Sequence, residues 1–109
     1  MSTRTDIVRE TVEKPFDPER FRELGTEDMT FYSAHLGLDL QGRDAAADAL
    51  GKFFGESQPT FQLQADPVEQ GNFVVVFIRA TLSSGEQREL CEVFRFDGDQ
   101  MSGVWTMRA

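Results

Sequence analysis

Apolar positions recur first at helical spacing and later at every second residue, and that change of rhythm divides the chain. In residues 6–13, Ile7, Val8, Thr11 and Val12 share one face, which predicts a short helix capped by Thr5 or Asp6. Lys14-Pro15-Phe16-Asp17-Pro18 breaks it, because each proline disfavours helix at the residue before it. Asp17 then caps a second short helix that starts at Pro18, turns Phe21 and Leu24 inward and stops at Gly25. Residues 29–35 alternate and read as a strand, with Phe31, Ser33 and His35 on one face and Thr30, Tyr32 and Ala34 on the other. Residues 37–42 read as a loop or short extension. A third helix is expected over residues 44–54, where Ala46, Ala49, Leu50, Phe53 and Phe54 fit an amphipathic face, and Gly55 ends it.

Beyond that point the rhythm is that of strands. They are expected at 60–65, 73–82, 88–96 and 101–107, separated by Gly71-Asn72, Ser83-Ser84-Gly85-Glu86 and Asp97-Gly98-Asp99. Helix, helix, strand, helix and four strands make an α+β protein, with the helices on one face of a curved antiparallel sheet.

Composition narrows the function. At 109 residues the chain is expected to be one domain, 1–109. Its net charge of −8 and the absence of a basic cluster point away from nucleic acid. The longest apolar run, residues 73–78, falls far short of the ~20 residues of a membrane span. The first residues carry no apolar signal segment, so the expected location is cytoplasmic. One Cys and one His cannot build a structural zinc site, and neither a metal nor any other cofactor is expected. Ten Phe offer a large aromatic core without disulfides.

Four stretches, taken in order, resemble the nuclear transport factor two-like superfamily, which includes SnoaL-like polyketide cyclases and ketosteroid isomerases. They are Phe16-Asp17 with the following helix and Glu27-Asp28, then Gly42-Arg43-Asp44 opening a helix that ends in Phe53-Phe54. Gly71-Asn72-Phe73-Val74-Val75-Val76 and Glu92-Val93-Phe94-Arg95-Phe96-Asp97-Gly98-Asp99 complete the set. The resemblance implies a cone-shaped curved antiparallel sheet wrapped around the N-terminal helices, a deep apolar pocket and a homodimer formed through the outer sheet face. Carried over by position, the general-base Asp of the ketosteroid isomerases falls on Ser33 and their Tyr donor falls near Arg9, both departures. Their protonated Asp donor falls on Glu92, which keeps the chemistry.

Glu92 alternates with Leu90, Phe94 and Phe96 and so points into the cone, where burial raises a carboxyl pKa and fits it to donate to an oxyanion or act as an acid. The alternatives are a misassigned face or an ion pair with Arg79. His35, the one histidine, shares the face of Phe31 and Ser33 and is the candidate base, against a reading at the rim or in solvent. Ser33, Phe31, Phe94, Arg79 and Trp105 are candidate substrate contacts, with Met101 and Met107 beside them; plain core is the alternative for the apolar ones. These residues lead to a small-molecule enzyme, an isomerase or cyclase that moves a proton next to a carbonyl on a small apolar molecule. The competing readings are a non-catalytic binder of an apolar ligand and a dimeric interaction module with a filled core.

Overall fold

The computed structural model describes residues 3–34 and 36–109. Helix α1 (Arg4–Glu13) begins at Thr3, whose hydroxyl accepts from the Asp6 N–H at 3.1 Å while the Asp6 carboxylate accepts from the Thr3 N–H at 3.3 Å. This reciprocal pair satisfies two otherwise orphaned donors, so the cap lies at Thr3 rather than at Thr5 or Asp6. Helix α2 (Pro18–Leu24) is capped by the Asp17 carboxylate and closes on Gly25, as its sequence indicates. Strands β1 (Gly25–Ser33) and β2 (Leu38–Gln41) follow.

Helix α3 (Arg43–Ser57) runs through Gly55, because its terminus is closed by Gln58, a left-handed residue at φ 44° whose N–H donates to Phe54 O at 3.0 Å. The strands β3 (Thr60–Leu63), β4 (Val68–Gln70), β5 (Phe73–Thr81), β6 (Gln87–Asp97) and β7 (Gln100–Arg108) complete the chain. Among the described residues there is no helix long and apolar enough to cross a membrane.

The strands form one sheet in the order β2-β1-β7-β6-β5-β3, with β4 paired beside β3 along the same edge of β5. The expectation of an all-antiparallel sheet fails at one place. The strands β1 and β7 run parallel at the middle of the sheet, so the sheet is mixed. The stretch read as a loop or short extension forms the short strand β2, and β4 is an addition. Helix residues Ile7, Val8, Val12, Phe21, Leu24, Ala46, Ala47 and Leu50 meet one sheet face and build a single core with Phe31, Val74, Ile78, Leu90, Phe94 and Val104. Burying each Val, Leu, Ile or Phe side chain among them contributes roughly 1.5–3 kcal/mol.

The hairpin between β6 and β7 decides what faces the core. Its first pairs are Asp97↔Gln100 and Phe96↔Met101, but the next is Arg95↔Gly103. Ser102 is therefore an extra residue, a β-bulge, and beyond it the parity of β7 reverses. Met101 points inward before the bulge; Val104 and Thr106 point inward after it. Gly103, on the outer face, lies under the Trp105 ring so closely that a Cβ there would collide with it.

Candidate functional site

Between helices and sheet lies a cavity of about 80 Å³. A buried water needs ~10–15 Å³, so there is room for several waters or one compact organic molecule. The wall is largely aromatic, with seven of the ten Phe contributing. Phe16 from the link between α1 and α2, Phe54 from α3 and Phe61 from β3 stack into one side of it. The ring centroids of Phe16 and Phe54 are 5.1 Å apart, and those of Phe54 and Phe61 5.8 Å. The sheet supplies Phe31, Ile78, Leu90, Phe94 and Val104.

One row of the sheet breaks this apolar lining. Register pairs Ser33 of β1 with Thr106 of β7, and Thr106 with Glu92 of β6. All three line the cavity. Thr106 donates its hydroxyl to Glu92 Oε2 at 2.8 Å. Glu92 is half-buried and lines the cavity. Burial pushes its carboxyl up from 4.5 to about 7, with the Thr106 hydrogen bond pulling weakly the other way. A carboxyl of this kind exchanges its proton near neutral pH, where proton transfer is most effective. Ser33, 1% exposed, accepts from the Leu36 N–H at 3.1 Å.

The sequence-derived candidates separate clearly. Glu92, Ser33, Phe31 and Phe94 stand together in the cavity wall. His35 lies outside the described residues. Arg79 and Trp105 do not line the cavity and need correction as substrate contacts. Arg79 sits on β5 between inward Ile78 and Ala80, so it faces outward and pairs with Glu89 at 2.7 Å. It is therefore no partner for Glu92 either. Trp105 faces outward because of the Ser102 bulge, with the Arg95 guanidinium 5.1 Å from its ring centroid. Met107 is turned outward with it, and Met101, though fully buried, is not in the cavity wall. Arg9, near the family's Tyr position, pairs with Asp66 at 2.8 Å outside the cavity.

Thr106 is the polar cavity residue that sequence reasoning missed. Extending the hairpin from its Asp97-Gly98-Asp99 turn without a bulge places Trp105 opposite Glu92. The extra residue moves Thr106 there instead. Cys91 is on the outer face, and burial together with the nearby Glu92 charge pushes its thiol up, away from nucleophilic use.

The sequence model of the SnoaL-like domain family matches residues 10–104. A comparison with curated protein sequences finds no match. Among solved structures, a Catenulispora acidiphila hypothetical protein with a ketosteroid isomerase-like fold, in complex with trimethylamine, is similar. The TM-score is 0.82 at 10% identity, over 100% of this chain and 88% of that one. A putative isomerase of the SnoaL-like family from Agrobacterium tumefaciens aligns with TM-score 0.77 at 15% identity, over 97% and 94% of the two chains. An NTF2-like protein of unknown function from Cytophaga hutchinsonii gives 0.78 at 14% identity, over 100% and 92%. At these identities the likeness is one of fold.

Proposed function

From the premise that this chain belongs to the SnoaL-like domain family, we propose that it is a small-molecule enzyme of the isomerase or cyclase type. It moves a proton at a carbon next to a carbonyl, on a compact and largely apolar substrate held in the cavity. One observation carries this reading. Glu92 is the single titratable side chain among the described residues that line the cavity, and its carboxyl is poised at about 7. Such a group holds a proton and releases it with similar ease at neutral pH, so one residue can take a proton from carbon and return it. The Phe-rich wall lowers the local dielectric and so strengthens every hydrogen bond inside. Hydrogen–deuterium exchange at the α-carbon of a small ketone, followed by proton NMR in D2O, tests it. The wild type accelerates exchange above buffer, and Glu92→Gln loses that acceleration by at least about 100-fold, the scale of general acid–base catalysis. Equal exchange by both proteins would sink the proposal.

A second reading is favoured by the same inventory. With no second titratable group among the described lining residues, the cavity also suits a non-catalytic carrier of an apolar ligand. An apolar molecule recovered with the purified protein, unchanged on incubation, supports the carrier.

The outer sheet face fits a homodimer in either reading. Register aligns Val68, Val75, Val93, Trp105 and Tyr32 in one row across five strands, and Phe77, Cys91 and Met107 in the next. Phe77 is 49% exposed and Phe73 42%. An apolar face of this kind is covered in most soluble proteins, and a second copy offers the same face to it.

A further inference from the structure

Among the described residues that line the cavity, the Ser33 side chain carries the one hydroxyl left with an unused proton. A serine hydroxyl has one proton to give and two sites to accept. One acceptor site takes the Leu36 N–H at 3.1 Å, and among the described residues no group accepts the proton. Ser33 is 1% exposed and lines the cavity, so bulk solvent does not take up its proton. Thr106, by contrast, spends its proton on Glu92. A buried donor without an acceptor is costly, and native structures seldom keep one without a use.

We propose that Ser33 donates this hydrogen bond to the carbonyl oxygen of the substrate, two strands from Glu92 in the same cavity wall. The proposal rests on the reading of Glu92 given above and adds the substrate's orientation and polar group. The pairs Ser33↔Thr106 and Thr106↔Glu92 set the two side chains in one row. At ~4.8 Å per strand their Cα atoms are roughly 10 Å apart, and both side chains project inward over that span. A carbonyl group and the carbon beside it fit between them. The preferred ligand is thus a compact ketone or enone whose oxygen points toward β1 and whose acidic C–H points toward β6, with hydrocarbon against the Phe wall.

The chemistry balances without a further reactant. The Glu92 carboxylate takes the proton from the carbon beside the carbonyl. The C–H electron pair becomes a carbon–carbon double bond, and the carbonyl π pair moves onto oxygen, where the Ser33 O–H holds the developing charge. Glu92 then returns its proton to carbon, the oxygen pair re-forms the carbonyl, and the net change is the position of a hydrogen. The first strand therefore carries a donor at the place where the ketosteroid isomerases carry their base, and the base sits on β6.

A pair of near-isosteric probes tests the assignment, cyclopentanone against methylenecyclopentane, which replaces the C=O by C=CH2. Binding to the full chain is read by NMR titration. The wild type prefers the ketone by about tenfold, the scale of one net hydrogen bond. Ser33→Ala brings that preference to about twofold or less and leaves the affinity for methylenecyclopentane within about twofold. Ser33→Cys, of similar shape but a weak donor, gives the same result should the alanine variant fail to fold. An unchanged ketone preference in these variants, or no binding of either probe to the wild type, overturns the assignment. Deuterium exchange into cyclopentanone is measured in parallel. Its absence, with the Ser33-dependent preference intact, overturns proton transfer by Glu92 and leaves the Ser33 contact standing.

Discussion

A carboxyl that ionises near pH 7 inside a protein weakens the fold on the alkaline side. Folded Glu92 binds its proton more tightly, at about 7, than the 4.5 of an unperturbed glutamate. The folded state therefore holds more protons across that interval, and stability falls as pH rises through it. The contribution is complete below pH ~4.5, is lost as pH passes the folded value, and is flat above. At ~1.36 kcal/mol per pH unit the loss is on the order of 3 kcal/mol. Glu92→Gln keeps an acceptor for the Thr106 hydroxyl and removes the charge. Urea denaturation is expected to find the variant more stable than the wild type at pH 8, by up to that amount, with the gain vanishing near pH 5. A difference that does not change with pH contradicts an elevated Glu92. Thr106→Val removes the one hydrogen bond that favours the carboxylate, so Glu92 titrates higher still. Carbon-13 NMR of the carboxyl reads the shift, and Thr106→Ser restores the wild-type position.

At the scale of elements, strand β7 carries the most consequence per residue. Its bulge at Ser102 brings Thr106 rather than Trp105 to Glu92, and the Trp105 ring then folds over Gly103. Gly103→Ala forces that ring away or shifts the strand, at a cost of ~1–3 kcal/mol. Denaturation of the pair checks this, since the cost falls to near zero when Trp105→Ala is already present. The same strand marks the limit of what the sequence reveals. Period-two alternation on β6 places Glu92 inward from sequence alone, and that on β1 does the same for Phe31 and Ser33. Those patterns are legible because β1 alternates over residues 29–33 and β6 pairs without interruption over residues 90–95, with buried neighbours beside Ser33 and Glu92. The bulge has no such signature, so Trp105 and Met107 read as pocket residues and Thr106 goes unnoticed. Arg79 belongs to a regular strand, where the inward Ile78 and Ala80 beside it already give its outward side. Strands β2 and β4 escape because LDLQ and VEQ are too short to set a period; their backbone pairing comes from β1 and β5.

Across the whole molecule the two sheet faces have opposite tasks, one enclosing the cavity and the other presenting Phe77, Trp105 and their neighbours. A carboxylate at Phe77, in the middle of that outer face, is expected to leave the core untouched. Sedimentation should show the wild type as a dimer and Phe77→Glu as a monomer of unchanged circular dichroism; a wild type that sediments as a monomer removes the dimer. Strand order carries a different consequence, one of timing. Strand β7 lies between β1 and β6, so it joins the beginning of the chain to its later strands. Helices and hairpins can form as they emerge from the ribosome, but β1 has no central neighbour until residues 100–108 are made. Closing so distant a pair is entropically slow. Until then Phe31 and Ser33 lack one flank, and the cavity wall lacks Thr106. The nascent chain thus spends most of its synthesis with an unsealed sheet and exposed phenylalanines, the interval in which a chaperone has the most to hold.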